Sequence, residues 1–454
     1  MKTRYVSLVS LGLALLFAAA GAGAKITAQE AERLGKDLTP MGAEKAGNKD
    51  GSIPEWNGGL TKPPAGFDLK NGYLDPFANE KPLFTITAEN ADKYKDKLTA
   101  GHLALFKKYP KTFKMNVYPT HRTAAFPQKV YDDVKKFATQ AELSPGGNWV
   151  KNSGTSSVPF PITTRAEEYM WNVDLHWHGG GVERIYDWVT VQSNGESYKV
   201  RVDERWYKDA HGYVEGSPAD RLISFYVKYL SPATLEGTTY LIWEPFNQEA
   251  APRQAWVYNV GQRRVRRAPD VAYDFVAEGT EGLRFSDNYD GWNGKLDRYN
   301  WKLIGKKEMY VPYNSYKMAD KKRKYADMHK PGHLDSDIPR YELHRVWLVE
   351  ANLKEGQRHV IGKRTFYLDE DTWQVSAADL YDTRGQLWRM IEGHMMQYYD
   401  AQVPWYANEV IMDLNSGAYI SNFLANEITE PWKFGVKTDM NFMNPENLRR
   451  LGNK

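Results

Sequence analysis

The sequence predicts an α+β protein dominated by one large antiparallel sheet, and three observations lead there. From about Ala166 onward, short segments of alternating apolar and polar residues are separated by turn signals such as Asn194-Gly195 and Asn415-Ser416-Gly417. That is the pattern of strands joined by hairpins. Helix-like stretches come before that point. Aromatic residues make up 13% of the 454-residue chain, with 15 Trp and 29 Tyr, and strands and binding walls both favour such side chains. The length admits two or three domains, or one β-rich domain behind an N-terminal extension. The composition divides at the Gly- and Ser-rich stretch Ser144–Thr164. An extended arm with helices over 25–160 and a sheet domain over 161–454 are therefore expected.

Met1–Ala24 reads as a secretory signal peptide. Lys2 and Arg4 form its positive end, Val6–Ala20 its apolar core and Ala22-Gly23-Ala24 a cleavage box. The core is too short to span a bilayer, so cleavage after Ala24 and a periplasmic location are expected. Cysteine is absent, which excludes a lipidated cysteine, disulfides and thiolate chemistry. The formal net charge is +3, two of it from Lys2 and Arg4. Bulk attraction to nucleic acid is not expected at that charge.

The arm is rich in Gly, Pro and Asn, with a short helix expected over Ala28–Leu34. Ala46–Leu60 mimics the middle of a calcium loop, but Ala46 and Asn57 stand where the first ligand and the bidentate acid belong, so an Asx turn is expected. Thr87–Lys108 and Gln128–Thr139 read as helices.

In the sheet region Tyr169–His178 alternates, with Trp171, Val173, Leu175 and Trp177 on one face and Asn172, Asp174, His176 and His178 on the other. A strand with a polar, solvated face is expected. Val182–Gln192, Ser197–Tyr207, Leu222–Leu230 and Thr238–Trp243 continue the series. A hairpin follows, from Arg253–Asn259 to Gln262–Arg267 around Val260-Gly261. A turn of those two residues sets Trp256 opposite Val265 and Tyr258 opposite Arg263, the latter as a cation–π pair. Asp287, Asp290, Asn293 and Asp297 match no cation-loop spacing and read as a surface turn with Asx bonds. Glu308–Tyr316, which holds Pro312, is expected to bend along an edge. A C-terminal meander uses Arg340–Glu350, His359–Leu368, Trp373–Tyr381 and Gln386–Ile391, with a last hairpin over Asn408–Phe423. Arg340–Glu350 is apolar on both faces and is expected to be covered on both sides. The tail Leu424–Lys454 has no pattern.

No phosphate loop, dinucleotide fingerprint or H-E-x-x-H stretch occurs. The HGGG run at His178–Gly181 mimics an esterase oxyanion hole, but the G-x-S-x-G elbow that must accompany it is missing. His176 and His178, with Asp174 beside them, are a metal candidate; the competing reading is a polar strand face. No catalytic constellation emerges, so the protein is not expected to be an enzyme, and no cofactor is expected.

Trp256–Asp274 (WVYNVGQRRVRRAPDVAYD), Asn48–Trp56 (NKDGSIPEW) and Glu308–Tyr316 (EMYVPYNSY) resemble signatures of the domain of unknown function 1329 family of proteobacterial periplasmic proteins. That family is related to the carriers and receptors that sort outer-membrane lipoproteins. The resemblance implies a half-open barrel, a strongly curved antiparallel sheet with helices as a lid over an apolar cavity. It also implies a hydrophobic or lipid ligand moved between the membranes. The implied partners are an exporter of the resistance-nodulation-division class and an outer-membrane protein. On this view the ligand wall would be Trp243, Trp256, Tyr258, Arg263, Trp347, Trp373 and Trp388. The rival readings are an outer-membrane β-barrel, a secreted hydrolase and a glycan-binding protein.

Overall fold

A computed structural model describes residues 25–452. The expected signal peptide lies outside the described residues. Helix α1 (Ala28–Ala31) starts in a capping box, with the Thr27 side chain accepting from the Glu30 amide and the Glu30 side chain returning to Thr27. The expected long helix over Thr87–Lys108 is broken. A 3₁₀ turn covers Ala91–Lys97, and α2 (Ala100–Lys108) begins afresh because Thr99 caps it. The amides of Ala100 and Gly101 donate to the Asp379 carboxylate at 3.0 and 2.9 Å, which pins this helix start to the sheet. Helix α3 covers Gln128–Phe137.

Helix α4 (Ala166–Leu175) replaces the strand expected over Tyr169–His178. It is buried nearly all round, so it has no single apolar stripe to announce a 3.6-residue period. Asn172 does not face water; its side chain closes on both backbone groups of Phe160. Glu167 and Glu168 sit in the first turn, where the helix dipole favours them. Two short helices complete the set, α5 (Tyr325–Met328) and α6 (Leu448–Gly452).

One 16-stranded sheet organises the molecule. Its members in chain order are β1 (Phe84–Ile86), β2 (Met115–Val117), β3 (Gly181–Val191), β4 (Ser197–Lys208), β5 (Arg221–Ser231), β6 (Thr239–Pro245), β7 (Gln254–Asn259) and β8 (Arg264–Arg267). They continue with β9 (Tyr299–Pro312), β10 (Tyr341–Leu353), β11 (Ile361–Asp369), β12 (Val375–Asp382), β13 (Leu387–Tyr398), β14 (Val403–Asp413), β15 (Tyr419–Leu424) and β16 (Lys433–Phe434). The spatial order is β1-β2-β10-β11-β12-β13-β14-β15-β3-β4-β5-β6-β7-β8, with β9 on β10 and β16 on β3. Two meanders, β3–β8 and β9–β15, thus join edge to edge through β15 and β3. The sheet is not closed, and only the β2–β10 contact within it is parallel.

Bulges on the β9–β10, β11–β12, β13–β14 and β4–β5 ladders interrupt the pairing, as a strongly curved sheet needs. Strand β9 pairs with β10 along its whole length, although the sequence pattern picks out only its end; a bulge at Gly305 and an exposed Ile304 disturb the alternation. Strand β10 is covered on both faces over most of its length, as its apolar pattern predicts.

Hairpin β7–β8 forms as expected, in a different register. Trp256 lies opposite Arg267 and Tyr258 opposite Val265. The turn holds four residues, 260–263, with Arg263 at φ 52° and the Gln262 amide donating to Asn259 Oδ1. Arg263 therefore does not face Tyr258; the stacked cation is Arg267, 4.9 Å above the Trp256 ring. At Asn48–Trp56 the Asx geometry is present, with Asn48 Oδ1 accepting from the Ile53 amide and Asp50 Oδ1 from the Ser52 amide.

A candidate apolar binding cavity

Alternation along β5 and β6 sorts their side chains onto two faces. Phe225, Val227 and Tyr229 pair laterally with Ile242 and Tyr240 on one face; Tyr226 and Leu241 pair on the other. The first face is the floor of a cavity, which Tyr186 of β3 and Trp206 of β4 extend. Its cover comes from the end of helix α4 and from the irregular segment 271–294. The cavity offers about 130 Å³ to the centres of water-sized atoms, on the order of ten waters.

The cover is held by buried acids. Asp287 Oδ2 accepts from Arg364 at 2.6 Å and lies 3.0 Å from His359 Nε2. Asp290 shares a 2.6 Å hydrogen bond with His178 and accepts from Trp405 Nε1 at 2.7 Å. The Gly291 amide donates to Glu409 Oε1 at 2.6 Å. Asp287 and Asp290 are buried anchors, not members of a surface turn. Gly291 has φ 77°, and a Cβ there would stand 2.6 Å from Val375 Cβ. Only glycine allows the cover to approach the sheet so closely.

Burial sets the electrostatics. It holds the His176 and His178 imidazoles well below their ordinary value and pushes the Asp174 carboxyl well above its own. Lys208 is fully enclosed, and desolvation lowers it to about 7. Its ammonium donates to the carbonyls of Leu175 and His176 and so caps the end of α4. Glu244 and Arg253 form an ion pair at the cavity wall, and Arg253 Nη2 also donates to Asn293 at 3.1 Å.

Of the sequence-predicted positions, Asp174 and His178 line the cavity. Trp243 of β6 and Trp256 and Tyr258 of β7 lie on the opposite face of the sheet, where Met443 and Leu448 of the tail cover them. Trp243 meets Trp256 edge-on at 4.5 Å, with the Arg221 guanidinium 3.6 Å above it. Arg263 is exposed in the hairpin turn. Trp347 packs against Tyr169, Trp373 donates to the Met41 carbonyl at 2.8 Å, and Trp388 donates to Asp413 at 2.8 Å. None of these seven is among the cavity-lining residues. The lining that sequence reasoning missed includes Arg284, Tyr289, Asp290 and Trp292 from the irregular segment. Phe225, Val227 and Tyr229 had a signal, the alternation of Leu222–Leu230, but nothing in it says which face is open.

Two trios among the described residues could hold a metal ion, His176–His178–Asp290 and His344–Asp369–Asp371. Asp290 takes the place that sequence proximity gives to Asp174. His176 Nε2 stands 3.8 Å from Asp290 Oδ2 and His178 Nε2 2.6 Å from it. In the second trio both carboxylate oxygens of Asp371 accept from Arg122, at 2.9 and 2.7 Å.

The architecture is that of a β-dominated protein, an open sheet with a largely apolar cavity under an anchored cover. The chain belongs to the family described as "Protein of unknown function (DUF1329)", which it matches over residues 85–449. An uncharacterized protein of Pseudomonas aeruginosa is 47% identical over 454 residues, covering 100% of both chains. Similar solved structures include a Vibrio parahaemolyticus domain described under outer-membrane lipoprotein sorting, with TM-score 0.41, 14% identity, and coverage of 61% of this chain and 94% of that one. A DUF1329 family protein of Desulfovibrio piger gives TM-score 0.40, 13% identity and coverage of 60% and 92%. A LolA superfamily protein of Nitrosomonas europaea gives 0.35, 11%, and 57% and 90%.

Proposed function

We propose that this protein is a periplasmic carrier that binds a hydrophobic or lipid-like molecule and moves it between the inner and outer membranes. The observation that carries the reading is the cavity itself. Phe225, Val227, Tyr240 and Ile242 present apolar surface to a space that no described side chain fills. Each buried CH2 of a ligand would gain about 0.8 kcal/mol there, so a short alkyl chain would be held without chemistry. The signal-like first 24 residues support export, and no described helix is long and apolar enough to cross a membrane. The open order of the sheet argues against an outer-membrane barrel, which needs closure. The partners proposed from family context are a resistance-nodulation-division exporter and an outer-membrane protein.

Mass spectrometry of an organic extract tests the reading, with the protein purified from its own periplasm without detergent. A stoichiometric apolar molecule is expected. A clean extract, together with failure to bind a neutral fluorescent probe, would overturn it.

A further inference from the structure

The charged groups that line the cavity differ in one respect. Glu244 and Arg253 neutralise each other, Asp290 is bonded to His178 and Trp405, and burial pushes the Asp174 carboxyl well above its ordinary value, toward the neutral acid. Arg284 has no such partner. It is 8% exposed, and it forms no ion pair within 4.0 Å among the described residues. Its one hydrogen bond runs from Nη1 to Asn422 Oδ1, long at 3.4 Å. The guanidinium stands 4.7 Å from the Trp188 ring centre and 5.7 Å from that of Tyr289.

Glu409 is the acid with electrostatic reach, but its two oxygens are taken by the Gly291 amide at 2.6 Å and by Asn422 Nδ2 at 3.0 Å. Glu278, the other acid near this end, is exposed. An arginine cannot escape by losing its proton. A buried charge without a partner is costly, and such charges are normally paired. Among the described residues the remaining N–H donors of Arg284 have no acceptor, and they are not among the enclosed polar atoms that lack a partner, so they open on the cavity.

We infer that the cavity takes an anionic amphiphile, its carboxylate or phosphate head on the Arg284 guanidinium and its alkyl chain along Phe225, Val227 and Ile242. The inference rests on the carrier reading above and adds the charge of the cargo. The fork of N–H donors suits two oxygens of one head group, which a neutral alcohol or an amine cannot supply. The aromatic faces of Trp188 and Tyr289 hold the fork in place without consuming its N–H groups.

The test is displacement of N-phenyl-1-naphthylamine, a neutral fluorescent probe, by four ligands with the same ten-carbon chain. These are decanoate, decyl phosphate, decanol and decylamine, each kept below its micelle concentration at pH 7.5. One or both anions should displace the probe at least tenfold more effectively than decanol, with decylamine weakest. The stronger of the two anions identifies the head group. Arg284→Met should lose the preference for anions, read as the ratio of anion to decanol displacement within that variant; Arg284→Lys should keep part of it. Equal displacement by decanoate, decyl phosphate and decanol, with the probe bound, would overturn this inference and leave the carrier reading standing. Retention of the anion preference in a folded Arg284→Met would also overturn it. Failure of the probe to bind a wild type whose own organic extract is clean would remove the carrier reading, and this inference with it.

Discussion

Strands β14 and β5 belong to one sheet and each has 11 residues, yet β14 is buried at every position whereas β5 mixes buried and half-buried positions. The first lies in the β9–β15 meander, the second in the β3–β8 meander. Segment 271–294 serves both. Over the first meander it is bolted down, by Asp287 to Arg364, by Asp290 to Trp405 and by the Gly291 amide to Glu409. Over the second it is tied too, by the Tyr289 hydroxyl to Glu204 and by Trp188 Nε1 to the Gly279 carbonyl. Tyr289 also meets Phe225 edge-on at 5.6 Å. The cavity is the space left beside these contacts, along Val227 and Ile242. The comparison shows that rigidity and emptiness are built by the same stretch of chain. The ties to the first meander run through Asp287, Asp290 and the Gly291 amide, those to the second through Tyr289 and the Gly279 carbonyl, and the apolar space lies beside the latter.

The largest effect is expected from breaking the bolted side. Asp287→Ala leaves Arg364 buried and unpaired, which should cost about 3–5 kcal/mol of unfolding free energy. Denaturant titration checks this, and a loss near zero would mean that the anchor is incidental. Gly291→Ala forces a side chain onto Val375 at a positive φ and should cost about 1–3 kcal/mol.

A second pair of variants separates the two faces of the open half. Trp256→Ala removes a buried indole between the hairpin and the tail, at about 3–5 kcal/mol, yet should leave binding of the neutral probe unchanged. Phe225→Ala should weaken probe binding several-fold with a smaller loss of stability. The reverse outcome would place the ligand wall on the tail-covered face, where Trp243, Trp256 and Tyr258 stand.

A smaller effect depends on pH. Glu409 has an ordinary value of 4.5 and is raised to about 7 in the fold, chiefly by burial. Because the folded value is the higher one, protonation favours the folded state. This contribution is complete below pH 4.5 and is lost as pH rises through 7. Glu409→Gln should therefore flatten the fall in stability between pH 5 and pH 8 relative to the wild type, by about 3 kcal/mol at most. Thermal unfolding at the two values measures it, and parallel curves would contradict the assignment.

Much of the sheet was legible because alternation is a local property. Leu222–Leu230, Thr238–Trp243 and the C-terminal meander all form strands near their expected positions. The hairpin register differs by two residues, which keeps each side chain on its expected face but changes its partner. Helix α4 escaped because a helix buried all round has no stripe, and its sequence also alternates. The site was mostly illegible for a different reason. Asp287 and Asp290 read as turn residues because their partners Arg364 and His178 lie 77 and 112 positions away. Likewise, no local rule reveals that the tail covers one face of β6 and β7 while the other stays open. The aromatic positions in the sequence mark packing well, but packing and ligand contact call for the same side chains.

The most direct test of the central claim compares co-purified cargo in the wild type and in Val227→Trp, both extracted from the periplasm without detergent. Val227 points into the cavity from β5, so an indole there would occupy the proposed ligand space. The account predicts an apolar molecule at near-stoichiometric yield from the wild type and its loss from a folded Val227→Trp. Equal yield from the two proteins would mean that the ligand, if there is one, binds somewhere other than this cavity.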